Sequence, residues 1–205
     1  MLRTGSVAFG LSSHQRQVMK TPLTYGVIMA VASALLTLIL FFVGFHDSPE
    51  QMQSGAGKFI AVVGPLAISI TCLALAMRDK RSNTPDDAPW GYGSAVWTGV
   101  LTAVFATLFG AVFAYLYFAV INPSMTEVLY QTEVAKMEDK GLPPEQIDRA
   151  EQFMRKMLSP GIMTVFQSIG GFLVAVVLSL IVAIFYKNRT LAPGSTDRSP
   201  PVLPA

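Results

Sequence analysis

Four long apolar segments dominate the hydrophobic pattern of this chain of 205 residues. They cover residues 23–45, 59–77, 95–121 and 162–186, and none contains Asp, Glu, Lys, Arg or His. A helix rises about 1.5 Å per residue, so about 20 apolar residues cross a hydrocarbon core of ~30 Å. The pattern predicts an all-α integral membrane protein whose four-helix bundle occupies residues 23–186.

The charges between these segments predict the orientation of the bundle. Nine Lys and Arg residues and four acidic residues fall on the side that holds both termini and the loop after the second segment. Six basic and nine acidic residues fall on the other side. Because the basic side stays in the cytoplasm, we expect the tails 1–22 and 187–205 to be cytoplasmic and the loop after the third segment to be exported. The second tail is rich in Pro and is predicted to be disordered.

The exported loop has the pattern of a helical hairpin over residues 124–158. Ser124 and Glu127 have the spacing of a capping box, and Gly141 is typical of a helix C-terminus. Pro143 and Pro144 then suit the start of a second helix, because proline in the first turn costs no hydrogen bond.

The second helix of the hairpin is predicted to be amphipathic, with apolar residues at a 3.6 period and charged residues opposite. Four of its residues form a candidate interaction face, namely Ile147, Phe153, Met154 and Met157. We expect this face to lie on the outer ends of the bundle or in the membrane interface. The alternative is a docking surface for a protein partner.

Inside the predicted spans, small residues recur four positions apart. The stripes are Gly26, Ala30 and Ala34 in the first span, Ala106, Gly110 and Ala114 in the third, and Gly171, Ala175, Ser179 and Ala183 in the fourth. Small side chains let helix backbones approach in lipid, so the stripes predict packing within one subunit.

Three polar side chains are candidate intramembrane contacts: Gln167, Thr98 and Thr102. Interhelical hydrogen bonding is the simpler interpretation, and a substrate or ion site of a transporter is the alternative. The spans contain no carboxylate or basic side chain, which argues against a proton-coupled carrier or an ion pump.

Motifs for soluble chemistry fail when their spacing is checked. Gly57 and Lys58 resemble part of a phosphate loop, but Phe59 stands where the loop needs Ser or Thr. The two histidines, His14 and His46, are predicted on opposite sides of the membrane, so they cannot share a metal ion. We therefore expect no enzyme activity, no cofactor and no metal, and a net charge of +2 gives no reason to expect a nucleic-acid partner.

Short motifs at the helix ends carry a family resemblance. They are Gly26, Arg78-Asp79-Lys80, Trp90-Gly91-Tyr92-Gly93, Tyr117 with Asn122-Pro123, Ser159-Pro160, and Ser179-Leu180-Ile181-Val182-Ala183. Over about residues 20–189 the chain resembles the bacterial four-span family catalogued as domain of unknown function 4199. The resemblance implies a bacterial inner-membrane protein and supplies no catalytic residues.

Two functional hypotheses follow from the sequence. The first is a non-enzymatic inner-membrane protein whose exported hairpin serves assembly or interaction, with the bilayer and a protein partner or a second copy as its contacts. The second is a small transporter or channel subunit with a polar site between its helices. Convergence of Gln167, Thr98 and Thr102 on one pocket would favour the second.

The orientation predicts the outcome of reporter fusions. A fusion after Arg189 should be active only as a cytoplasmic reporter, and a fusion near Gly141 only as an exported one, because the basic side of the chain is retained. Exported activity from the Arg189 fusion would overturn the orientation.

Overall fold

The computed structural model describes residues 13–85 and 88–187 of the chain. The parts of the two predicted tails at residues 1–12 and 188–205 lie outside these residues. The helices are α1 (Ser13–Phe42), α2 (Pro49–Gln53), α3 (Gly55–Ser82), α4 (Tyr92–Leu116), α5 (Met125–Asp139), α6 (Pro144–Met157) and α7 (Pro160–Tyr186), and a π-helical turn over Tyr117–Ile121 continues α4. No strand occurs in the described residues, so the predicted all-α class is confirmed.

Four of the helical segments are long and apolar enough to cross a membrane. They are Met19–Phe42, Gly55–Ser82, Tyr92–Ile121 and Pro160–Tyr186. α1 and α7 occupy opposite corners of the bundle, and each packs against both α3 and α4. We call the end of the bundle that carries α2, α5 and α6 the hairpin end, and the other, with the connection between α3 and α4, the loop end.

The loop-end half of the bundle is closely packed through glycines. A Cβ added at Gly26 of α1 would lie 2.9 Å from the Thr102 carbonyl oxygen and 2.6 Å from the Cβ of Phe105. A Cβ at Gly99 of α4 would lie 2.6 Å from the hydroxyl of Ser179 on α7. These crossings therefore require glycine, because any side chain would force the helices apart.

Two of the family motifs, those with Asp79 and Trp90, form hydrogen bonds at the loop end that connect α1 to α3 and hold the end of α7. Trp90 Nε1 donates a hydrogen bond of 2.8 Å to the carbonyl of Tyr186, near the C-terminus of α7. The hydroxyl of Thr21 on α1 donates to Asp79 Oδ2 on α3 at 3.1 Å. Trp90 thus satisfies a carbonyl that the helix end leaves without an intrahelical donor.

Two helices at the hairpin end, α1 and α5, stop near glycines. Gly44 after α1 and Gly141 after α5 have positive φ angles of 86° and 69°. After α5, Leu142 N donates to Met137 O and Gly141 N to Glu138 O, which are the two hydrogen bonds of a Schellman motif.

The predicted capping box at the start of α5 is wrong. Ser124 has helical backbone angles, and its hydroxyl donates to Asn122 Oδ1 at 2.8 Å. That bond draws the hydroxyl back toward α4. Ser124 still begins the helix through its carbonyl, which accepts from the backbone N–H of Glu127 at 3.0 Å.

The close crossing of α1 and α4 predicts a stability difference between two glycine variants. Gly26→Ala should lower the free energy of unfolding by about 1–3 kcal/mol, because the added methyl group meets backbone atoms of α4. Gly110→Ala is the control, since a Cβ there meets nothing within 4 Å. Unfolding in mixed detergent micelles provides the measurement. Equal loss in both variants would contradict a crossing that depends on glycine.

Candidate functional site

A cavity of about 390 Å³ lies between α1, α3, α4 and α7 in the hairpin-end half of the bundle. Its floor, near mid-membrane, is formed by buried residues that pack together across all four helices, namely Met29, Cys72, Ala103, Ala106 and Ala175. Its roof is a second buried cluster of Ala114, Tyr117, Phe118 and Met125. A space of this volume falls within the range of small-molecule sites in proteins.

The small-residue stripes supply much of the cavity wall. Ala30, Ala34, Gly110, Gly171 and Ala175 all line it. A Cβ added at Gly110 or at Gly171 would meet no atom within 4 Å, so neither glycine is in close contact with a facing helix. The predicted use of the stripes in packing thus holds for Gly26 and Ser179 at the loop end and for Ala106, Ala114 and Ala175 in the floor and roof, whereas Gly110 and Gly171 border open space.

The cavity has its mouth between α3 and α7. Among the lining residues, four are exposed: Ala61 and Pro65 on α3, and Gln167 and Gly171 on α7. The lining residues of α1 and α4 are buried or half-buried. α3 and α7 are both membrane spans, so the opening faces the side of the bundle where lipid would lie.

A polar cluster forms the hairpin-end boundary of the cavity, centred on the phenol of Tyr117. Tyr117 is 2% exposed, and its hydroxyl accepts a hydrogen bond of 3.0 Å from Asn122 Nδ2. The same hydroxyl shares a hydrogen bond with His46 Nδ1. Because the amide of Asn122 donates to the phenol oxygen, the phenol proton is free to point at His46.

The surroundings of the His46 imidazole disfavour its charged form. Burial lowers the pKa of His46 below its ordinary value of 6.5, and the nearby carboxylate of Asp47 opposes that effect more weakly. His46 is therefore favoured as the neutral ring at neutral pH. No Asp, Glu, Lys or Arg among the described residues lines the cavity.

The three candidate intramembrane polar residues do not meet. Gln167 lies at the mouth of the cavity, and its side chain makes no hydrogen bond to any of the described residues. Thr98 and Thr102 lie in the packed half, where their hydroxyls donate to the carbonyls of Ser94 and Thr98 in their own helix. The expected interhelical hydrogen bonds are therefore not made, because each threonine finds an acceptor one turn back.

The candidate face of α6 is only partly covered. Ile147, Met154 and Met157 are half-buried, whereas Phe153 is 63% exposed, and no residue of α6 is buried. This face was expected to lie against the outer ends of the bundle or in the membrane interface. The ends of the bundle do not cover Phe153.

α6 is attached to α5 through its polar flank. The guanidinium of Arg155 lies 4.3 Å from the centre of the Tyr130 ring and 3.9 Å from a carboxylate oxygen of Glu127. α5 in turn is anchored to the bundle, since Met125 belongs to the cavity roof. This attachment leaves Phe153 of the apolar face exposed.

Sequence reasoning missed the central role of Tyr117 and His46. Both residues sit near predicted span ends, where aromatic and polar side chains ordinarily form an interfacial belt. Tyr117 instead turns inward because the end of α4 is a π-helical turn, in which Asn122 N donates to Tyr117 O at 2.7 Å. The available signal was the pairing of Tyr117 with Asn122-Pro123 among the family motifs.

The four apolar spans around this site define a multi-pass membrane protein. Residues 24–188 match the model of the family described as "Protein of unknown function (DUF4199)". The match covers most of the chain, so the chain belongs to this family and the resemblance in its motifs is confirmed. No curated protein and no solved structure matches the chain.

The polar cluster predicts that the phenol oxygen of Tyr117 contributes to stability. Tyr117→Phe should cost about 1–3 kcal/mol, because buried Asn122 loses the acceptor of its amide hydrogen bond. Tyr115→Phe is the matched control, since Tyr115 is 52% exposed and makes no hydrogen bond to the described residues. Thermal unfolding in detergent measures both. A Tyr117 variant as stable as the Tyr115 variant would refute the contribution.

Proposed function

We propose that this chain is a non-enzymatic protein of the bacterial inner membrane, with both termini in the cytoplasm, and that its exported hairpin mediates protein assembly through α6. The excess of Lys and Arg on the terminal side supports the orientation. The observation that carries the assembly role is that Phe153, an apolar side chain, is 63% exposed, whereas the other residues of the candidate face are half-buried.

The charges of α6 favour a protein contact over a lipid contact. The helix has three acidic residues, Glu145, Asp148 and Glu151, and three basic residues, Arg149, Arg155 and Lys156. Helices that lie on membranes are ordinarily rich in Lys and Arg, which attract anionic headgroups. A balanced helix lacks that attraction, whereas exposed aromatic and Met side chains are enriched in protein interfaces.

The non-enzymatic part of the proposal rests on how the polar side chains are used. Thr98 and Thr102 bond to their own helix, and Asn122 bonds to Tyr117 and Ser124. Each of these interactions satisfies a buried group, as expected for a structural role.

A transport role is the second candidate, and the cavity is the observation in its favour. Gln167 lines the cavity, as a transport site would require. Below it, the floor around Ala103 and the crossing of Gly99 with Ser179 fill the space between the helices. A transport cycle would therefore need the loop-end half to separate, and the assembly role needs no such change.

The assembly role predicts different effects for two substitutions on α6. Phe153→Asp should weaken association of the full-length protein with its protein partner, or with a second copy, about tenfold or more, because a charge replaces an apolar contact. Lys156→Asp should have little effect, since it lies opposite the apolar arc and an exposed charge contributes little.

Photo-crosslinking in native membranes identifies what Phe153 contacts. A benzophenone side chain at position 153 should give a protein adduct of defined mass, and the same group at position 156 should give none. Adducts with lipid alone at position 153 would refute the assembly role and assign the face to the membrane interface. Equal association of the Phe153 and Lys156 variants would also count against it.

A further inference from the structure

We propose that the cavity between the four spans is a binding site for a single apolar chain of a membrane lipid, which enters from the bilayer between α3 and α7. The proposal does not depend on the assembly role of α6. It rests on the position of the mouth, the chemistry of the wall and the polar groups at the mouth.

The position of the mouth favours a ligand that enters the cavity from the bilayer. The exposed lining residues, Ala61, Pro65, Gln167 and Gly171, belong to two spans and lie along their facing edges. Gln167 is seven residues from the start of α7 at Pro160, or about 10 Å along the helix. The mouth therefore opens within the apolar layer, where lipid chains are the molecules present at high concentration.

The wall of the cavity suits an uncharged, unbranched chain. It is built mainly from alanine, glycine and larger apolar side chains, and within residues 13–85 and 88–187 no Asp, Glu, Lys or Arg contributes to it. A charged ligand would lose its hydration there without gaining a partner, which is strongly unfavourable. The hydroxyls that reach the wall, such as those of Ser33 and Thr37, are hydrogen-bonding groups without charge.

Two polar features at the mouth suit the ester or hydroxyl region of a lipid. The side-chain amide of Gln167 has no hydrogen-bond partner among the described residues, although polar groups at this depth ordinarily have one. Across the mouth, Pro65 has no N–H to donate to the carbonyl of Ala61, one turn earlier in α3. A lipid whose chain fills the cavity would hold its ester or hydroxyl group beside these two residues.

The test uses full-length protein in phosphatidylcholine vesicles that contain a small fraction of phosphatidylcholine with a mid-chain diazirine. After irradiation, mass spectrometry of α4 peptides compares labelling of the cavity residues Thr107 and Ala111 with labelling of Leu108 and Val112. The latter two are 59% and 63% exposed on the outer surface and report ordinary lipid contact. We expect label at both sets in the natural sequence.

Two adjacent glycines provide matched variants. Gly171→Leu should lower the ratio of inner to outer label at least about fivefold, because its side chain enters the cavity, which has room for it. Gly170→Leu should leave the ratio unchanged, since Gly170 also has open space around it but does not line the cavity. Gly110→Leu, on the opposite wall, should repeat the effect of Gly171→Leu.

Three results would overturn the proposal. The first is label confined to Leu108 and Val112 in the natural sequence, and the second is an unchanged ratio in the Gly171 and Gly110 variants. The third concerns a protein occupant. If Gly171→Cys combined with Cys72→Ala gave a covalent dimer on mild oxidation, a second copy of the chain would occupy the mouth instead of lipid.

Discussion

The close approach of α4 to α1 and α7 is the contact on which the rest of the bundle depends. Lipid tails are as apolar as leucine, so helices in a bilayer gain no hydrophobic free energy by meeting and must associate through tight van der Waals contact. Gly26 and Gly99 permit that contact at the loop end. At the hairpin end, small residues such as Gly110 face open space, so the same four helices enclose a cavity.

The π-helical turn at the end of α4 determines how this cavity is closed. A π turn adds one residue to the hydrogen-bonded ring, and such turns frequently occur at functional sites. Here the turn over Tyr117–Ile121 places the buried phenol of Tyr117 within hydrogen-bond distance of both His46 and Asn122. The connection after α1 and the connection after α4 are thereby joined by one side chain, which fixes the roof against the spans.

The periodic features of this fold could be predicted from the sequence, and the spaces between helices could not. Length and apolar composition are sufficient for the four spans, and Gly141 with Pro144 is sufficient for the turn between α5 and α6. The stripe containing Gly171 was ambiguous, because a small residue allows a neighbouring helix to approach but does not require it. Thr102 was ambiguous for a related reason, since its hydroxyl can bond within its own helix as well as across the bundle.

The hairpin contacts the roof of the cavity through Met125 and Leu129 of α5. Met125 is 8% exposed, and it packs in the roof cluster while also lining the cavity. α6 contacts α5 through Arg155 and Tyr130, and it continues through Leu158 and Ser159 into α7, which also lines the cavity. A displacement of the first turn of α5 would disturb the packing of Met125 against Tyr117 and Phe118. Binding at the outer face of α6 would be coupled to occupancy of the cavity only if it changed how α5 or α7 packs against the roof, because a ligand shifts an equilibrium only by its differential affinity for the two states.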